Sequence, residues 1–145
     1  MNDAMITVEN FRKTYGDFTA VDGISFAVQR GEIFGLLGPN GAGKTTTLEC
    51  LEGLRQPDDG RLSVAGVDPS RDGRKLRGKI GVQLQTSGLP DTISPADAMT
   101  FFCAYHGIKP RHDLIERLGL AEKRNTAYAE LSTGQKRRLA LALAV

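Results

Sequence analysis

The sequence has few of the features that mark secreted or membrane-spanning proteins. Its two cysteines, Cys50 and Cys103, lie far apart in apolar surroundings, so no disulfide framework is predicted and a reducing cytosol is expected. The longest aliphatic run, residues 139–145, is far shorter than the ~20 residues that a membrane span needs. The N-terminal residues lack a basic stretch followed by an apolar block, so no secretory signal is predicted.

A strong charge of either sign is also lacking. Lys and Arg number 19 against 17 Asp and Glu, a net charge of +2, which gives no general reason to expect nucleic acid as a partner. Apolar residues make up 40% of the 145 positions, which suits one globular domain and excludes a disordered chain. A local basic run allows a nucleic-acid patch, but a solvated face is favoured because no aromatics interleave and Asp72 interrupts it. Its members are Arg71, Arg74, Lys75, Arg77 and Lys79.

Strand patterns dominate the first half of the chain. Alternation of apolar and polar residues predicts strands at residues 6–11, 24–28 and 61–65. Two short apolar runs, residues 32–37 and 80–84, predict two more strands, the first of them buried.

Helical patterns follow. Residues 44–54 have helical spacing, with Leu48, Leu51 and Leu54 on one face. Ser94 and Pro95 read as an N-cap and first helical position, so a helix is predicted to residue 105. Further helices are predicted near residues 110–119 and from 132 to the last residue. This order indicates an α/β core with a helical insertion.

A glycine-rich loop between the predicted buried strand and the first helix matches G-x-x-x-x-G-K-[ST]. Its glycines let backbone N–H groups point into one concave nest for phosphate oxygens, and the helix N-terminus adds positive potential. The lysine can reach the outer phosphates, and the following hydroxyl can coordinate Mg²⁺. The alternative is a glycine-rich turn with a surface lysine. The candidate residues are Gly38, Pro39, Asn40, Gly41, Ala42, Gly43, Lys44, Thr45 and Thr46.

A second motif precedes the last predicted helix. Ser132 and Gln135 form an S-x-x-Q capping box. Gly134 falls in the first helical turn, where glycine is a poor helix former. A glycine there makes sense if an anion approaches the helix N-terminus closely.

With these motifs in place, residues 5–145 resemble the ATP-binding subunit of the ABC transporter family. The family signature reads Leu-Ser-Gly-Gly-Gln, and the matching residues are Leu131, Ser132, Thr133, Gly134 and Gln135, with Thr133 replacing the first glycine. The added bulk of Thr133 puts the closeness of a γ-phosphate contact in question. Residues 57–66 look like the family's hairpin, and residues 45–54 are similar to its drug- and antibiotic-export branch.

The resemblance implies roles for two more residues. Tyr15 falls where the family places an aromatic that stacks on adenine, although taken alone it reads as an ordinary turn aromatic. Gln85 falls at the family's Q-loop glutamine, which binds Mg²⁺ or water and acts as a hinge toward the membrane partner. Its neighbour Gln83 is the rival for that role.

The resemblance also implies a P-loop NTPase fold. An antiparallel β region would cover about residues 1–30 and 55–70. A P-loop core would cover residues 31–54 and 75–85, and a helical subdomain would cover residues 86–135 and end in the signature motif. ATP and Mg²⁺ are the expected cofactors. The expected partners are a second ATP-binding subunit, so that a homodimer forms, and a transmembrane permease, and nucleic acid is not expected as a partner. The implied location is cytoplasmic, at the inner face of the membrane. The resemblance implies that the intact domain is the ATP-binding, ATP-hydrolysing motor subunit of a membrane exporter. The alternatives are a soluble ABC-type ATPase switch acting on ribosomes or DNA, and a truncated nucleotide-binding module without turnover.

The family's later landmarks are not found in the sequence. These are the apolar strand ending in a Mg²⁺-binding aspartate, the glutamate beside it, the D-loop and the switch histidine. The sequence is therefore expected to be the N-terminal part of the domain. This chain by itself is expected to bind ATP weakly at best and not to turn it over. His106 and His112 have no carboxylate or cysteine at ligand spacing and read as structural, and both cysteines are expected to pack as small apolar residues.

Overall fold

The computed structural model describes residues 4–83 and 88–144. These form two compact units, one up to residue 80 and one from residue 81. Each has its own buried core, so each is described by itself.

The first unit is built on a three-stranded antiparallel sheet. Its strands are β1 (Ala4–Tyr15), β2 (Phe18–Gln29) and β3 (Asp59–Val64), in the order β2-β1-β3. Thr7 of β1 faces Ala27 of β2 on one side and Ser63 of β3 on the other. All three predicted strands in this region are confirmed, and pairing on both sides of β1 extends it beyond the alternating residues.

Two helices, α1 (Lys44–Leu51) and α2 (Gly73–Arg77), complete the first unit. The buried residues of α1 are Thr47, Cys50 and Leu51. The predicted face was therefore wrong, because Leu48 and Leu54 are exposed. The helix ends at Leu51, and Gly53 then turns the chain at φ +74°, so Leu54 never joins a helical face. The core consists of Val8, Phe11, Val21, Cys50, Leu51, Leu62, Val64, Val67 and Leu76.

Among the described residues, neither short apolar run forms a strand. Residues 32–39 have no regular secondary structure, and Ile33 and Leu37 are 99% and 91% exposed. Residues 80–83 likewise form no strand, and Leu84 lies outside the described residues. A strand exists only where another pairs with it. The described sheet, β2-β1-β3, includes neither segment, so the predicted buried strand at residues 32–37 was wrong for this structure.

The second unit is helical. It contains α3 (Pro95–Tyr105), α4 (His112–Arg117) and α5 (Thr133–Ala144), with short 3₁₀ turns at Ala121–Lys123 and Tyr128–Glu130. The Ser94 hydroxyl accepts the Asp97 N–H at 3.2 Å, so the predicted N-cap is confirmed. Both cysteines are buried, as predicted. No helix among residues 4–83 and 88–144 is long and apolar enough to cross a membrane. The core consists of Met99, Cys103, Leu114, Ile115, Leu120, Tyr128, Leu131, Leu139 and Ala142.

Candidate nucleotide site

The glycine-rich loop leads directly into α1, whose first residue is Lys44. Gly43 caps the helix in the left-handed region, at φ +76°. A Cβ at Gly43 would lie 2.3 Å from the carbonyl oxygen of Ala20 and 2.7 Å from Cγ2 of Val21. Glycine is therefore required here twice, by the backbone conformation and by the close approach of β2.

The Lys44 ammonium folds back over the loop. Its Nζ donates to the carbonyl oxygens of Gly38 at 2.8 Å and Pro39 at 2.6 Å, while the Ala42 N–H donates to the Pro39 carbonyl. The cation is therefore held against the first residues of the loop. Thr45, the next residue of α1, is exposed.

The chemistry of these groups fits a nucleotide phosphate. A lysine ammonium, glycine backbone and a helix N-terminus are the components of an anion site. For Mg²⁺ the fit is limited to the Thr45 hydroxyl, since the described part of the chain holds no cluster of three His, Cys, Asp or Glu that could bind a metal ion. Magnesium at such sites takes its other ligands from phosphates and water.

Tyr15 ends β1 and is 41% exposed. Two cations lie over its ring, with Lys13 Nζ at 5.5 Å and Arg55 Cζ at 5.6 Å from the ring centroid. Cations within about 6 Å of a ring centroid are attracted to the aromatic face. The ring is thus partly accessible and has two cationic groups over it.

Each of the two cations is held by a carboxylate. Lys13 Nζ donates to Asp58 Oδ1 at 2.6 Å, and Thr14 donates to Asp58 Oδ2 through both its N–H and its hydroxyl at 2.7 Å. The Lys13 hydrogen bond, with those from Thr14, lowers the pKa of Asp58 to about 2. Arg55 Nε donates to Glu49 Oε2, and this bond raises the pKa of Arg55.

This cluster of Lys13, Glu49, Arg55 and Asp58 around Tyr15 was missed by sequence reasoning. Lys13 and Asp58 are 45 positions apart, and no motif or periodicity connects them. The only local signal was the nearness of Lys13 to Tyr15.

The second motif forms the predicted capping box. The Ser132 N–H donates to Gln135 Oε1 at 2.8 Å, and the Gln135 N–H donates to Ser132 Oγ at 3.3 Å. Leu131 is buried, whereas Thr133 and Gly134 are exposed. A Cβ at Gly134 would meet nothing within 4 Å, so the fold itself does not require glycine there.

Gln85 lies outside the described residues, and its rival Gln83 is exposed. His106 is exposed, and His112 is half-buried with an Nδ1 that has no hydrogen-bond partner within the described residues. All five residues of the basic run are exposed, as a solvated face requires.

Comparison with known proteins identifies the family. The sequence profile described as "ABC transporter" matches residues 21–145, which include the loop and the capping-box motif. The chain belongs to the ABC transporter family. The resemblance predicted from the motifs is thereby confirmed, and ABC ATP-binding domains form an ATPase family.

Individual ABC relatives agree with this assignment. Nod factor export ATP-binding protein I of Paraburkholderia xenovorans is 40% identical over 151 aligned residues, 100% of this chain and 50% of that protein. Linearmycin resistance ATP-binding protein LnrL of Bacillus subtilis is 36% identical, covering 97% of this chain and 47% of that protein. The chain thus spans about half the length of these two relatives. The predicted likeness to the export branch is confirmed by their names.

A solved ABC structure confirms the fold. The structure of cbiO1 from Clostridium perfringens, described as part of the ABC transporter complex cbiONQ, is 30% identical and superposes with a TM-score of 0.81. The match covers 98% of this chain and 61% of that one. The ABC-type P-loop fold predicted from the sequence is therefore confirmed.

Proposed function

We propose that this chain binds ATP as part of the motor subunit of an ABC-type exporter. The observation that carries the proposal is the position of Lys44, the first residue of α1. Its ammonium lies within 2.8 Å of the Gly38 and Pro39 carbonyls of the glycine-rich loop. Phosphate oxygens placed against this loop would meet a fixed cation and the positive end of a helix.

The remaining site residues take the following roles. Tyr15 stacks on the adenine, since an exposed aromatic face suits a flat π-system. Thr45 holds Mg²⁺ with Gln85, and Thr46 and the loop backbone from Gly38 to Gly43 surround the phosphates. When bound, Mg²⁺ neutralises charge on the phosphates and polarises them.

The signature segment acts on a second nucleotide. We propose that Ser132, Thr133, Gly134 and the start of α5 contact ATP bound by another copy, so that two copies close on two ATP molecules. The exposed, side-chain-free Gly134 supports this role, because it leaves the helix N-terminus open to close approach. In the whole protein, Ser132→Ala should reduce ATP-driven dimerisation while ATP binding stays intact. Light scattering that gives the same dimer for both proteins would contradict it.

The whole protein would couple this closure to transport. We propose that a transmembrane permease receives the motion, that the protein works at the cytoplasmic face of the membrane, and that phosphoryl transfer to water drives the cycle. The names of the curated relatives, an exporter and a resistance protein, support an exporter over a ribosome- or DNA-bound switch.

Calorimetry with Mg-ATP tests the phosphate site. Lys44→Ala should weaken ATP binding about ten- to hundredfold, since it removes a charged hydrogen-bond donor from the phosphates. Lys79→Ala is the matched control, because Lys79 Nζ also donates to a backbone carbonyl, that of Ala65 at 2.9 Å, but lies outside the loop. Equal affinities for parent and Lys44→Ala would refute the assignment.

A further inference from the structure

The ring of Tyr15 is connected to α1 through side chains rather than through the backbone. Resting on the proposed role of Tyr15 at the adenine, we propose that Arg55, anchored by Glu49, is a positioning residue that holds the Tyr15 ring in its nucleotide-binding orientation. Arg55 Cζ lies 5.6 Å from the ring centroid. Glu49 lies on α1, the helix that begins with Lys44.

Glu49 holds Arg55 in two ways. Its carboxylate accepts from the Arg55 guanidinium. Its backbone carbonyl accepts the N–H groups of Leu54 at 2.8 Å and Arg55 at 3.1 Å. Both the backbone and the head group of Arg55 are therefore tied to one residue of α1. An arginine fixed at both ends has few rotamers left, so its guanidinium is a stable platform for the ring.

The second cation cannot supply the same link. Lys13 belongs to β1, the strand that also carries Tyr15, and its ammonium is bound to Asp58. Lys13 therefore connects the ring only to its own strand and to the segment before β3. Arg55 relates the ring to the helix that presents the phosphate loop.

This connection has a consequence for affinity. A nucleotide that binds through its adenine must immobilise the aromatic side chain, unless the protein has already done so. Ordering one side chain on binding weakens affinity about two- to tenfold, and a pre-ordered ring avoids that loss. Loss of Arg55 should therefore weaken only the binding of the adenine, because Arg55 acts through Tyr15.

Calorimetry with two ligands, Mg-ATP and inorganic triphosphate, separates this role from simple charge attraction. Arg55→Gln should weaken ATP about two- to tenfold and leave triphosphate unchanged. Arg55→Lys, which keeps the charge without the planar fork, should recover part of the loss. Arg71→Gln is the matched control, since it removes one cation and one exposed ion pair, that with Asp68 at 3.4 Å, elsewhere in the same unit. It should change neither affinity.

A variant without the ring distinguishes failure of this inference from failure of the proposed function. Tyr15→Leu should weaken ATP but not triphosphate, and Arg55→Gln should then have no further effect. If Tyr15→Leu leaves ATP affinity unchanged, the adenine assignment is wrong and the positioning role with it. If Tyr15→Leu weakens ATP but Arg55→Gln does not, only the positioning role is wrong. If Arg55→Gln weakens triphosphate as much as ATP, Arg55 acts by its charge.

The effect of Arg55 on the Tyr15 ring can also be measured without a ligand. The sequence contains three tyrosines, at positions 15, 105 and 128, so ring signals of ¹³C-labelled tyrosine can be assigned by substitution. Arg55→Gln and Glu49→Gln should each shift the Tyr15 ring signals, whereas Arg71→Gln should not. Unchanged Tyr15 signals in Arg55→Gln would overturn the inference even if no nucleotide affinity were measurable.

Discussion

Gly41 and Gly43 both have positive φ, at +85° and +76°, but they differ in what surrounds them. A Cβ at Gly41 would meet nothing within 4 Å, whereas one at Gly43 would clash with the Ala20 carbonyl of β2. The sequence motif requires glycine at position 43 and leaves position 41 open, but it does not reveal what surrounds either residue. Only the packing of the loop against β2 does so.

Alanine substitutions should separate the two effects. Gly41→Ala should lower the free energy of unfolding by about 1–2 kcal/mol, the cost of the left-handed conformation for a residue with a Cβ. Gly43→Ala should cost clearly more, because the clash adds to the same conformational cost. Urea unfolding followed by circular dichroism measures both variants. Equal losses would mean that β2 moves away from the loop without penalty.

The Asp58 carboxylate makes the first unit sensitive to acid. Its pKa of about 2 in the folded protein lies below the ordinary value of about 3.9 expected in the unfolded chain. The Lys13 and Thr14 contacts therefore stabilise the fold above about pH 4, and this stabilisation is lost as the pH falls through about 2.

Asp58→Asn should therefore reduce stability in a pH-dependent way. Between about pH 5 and 7 the variant should unfold at lower urea concentration than the parent by a constant amount. The difference should shrink as the pH falls toward about 2 and disappear below it. Asp17→Asn, in the exposed turn between β1 and β2, is the control. Curves for Asp58→Asn and the parent that stay parallel down to pH 2 would argue against the contacts.

The elements that sequence analysis predicted correctly depend on local information. The alternation in β1 and β2, the Ser94–Pro95 start of α3 and the capping box of α5 are each encoded within a few residues. The apolar run at residues 32–37 was misread because its pairing depends on partners that a local pattern cannot supply. At the site, the Lys44 loop was predictable as a motif. The Glu49–Arg55–Tyr15 connection was not, since it joins the end of a strand to the residues after a helix.

The Ser94 cap should be measurable as a property of α3. Ser94→Ala removes the acceptor for the Asp97 N–H and should cost about 0.5–2 kcal/mol of stability. Ser94→Thr keeps a hydroxyl in the same position and should lose less. Thermal unfolding followed by circular dichroism compares the two. A larger loss for Ser94→Thr would show that packing around this buried residue matters more than the cap.

Residues 33–37 form a continuous, largely exposed apolar stretch in the first unit. Ile33 and Leu37 are almost fully exposed, and Phe34 is 44% exposed while its ring stacks on Phe26 at 5.0 Å. Contiguous exposed apolar residues with unpaired backbone favour association between copies.

Light scattering over a range of concentrations should detect this association. We expect the parent chain to associate as its concentration rises, and Ile33→Lys and Leu37→Lys to suppress this, because each places a charge within the apolar stretch. Leu54→Lys is the control, since Leu54 is 63% exposed but lies outside the stretch. Association that neither Ile33→Lys nor Leu37→Lys reduces would exclude residues 33–37 as its cause.

The two carbonyl groups that hold Lys44 make the loop a competitor for its own cation. The ammonium has three N–H donors, and two of them already donate to the Gly38 and Pro39 carbonyls. A ligand that accepts more than one hydrogen bond from Lys44 must therefore replace these carbonyls as acceptors. A phosphate oxygen attracts the ammonium by its negative charge as well as by hydrogen bonding, whereas a carbonyl or hydroxyl oxygen is neutral. The exchange is therefore favourable for phosphate oxygens and close to neutral for a sugar hydroxyl. The loop thereby favours ligands that carry negative charge on the groups that contact Lys44. We therefore expect a triphosphate to displace the two carbonyls from Lys44 and an uncharged nucleoside to leave them in place.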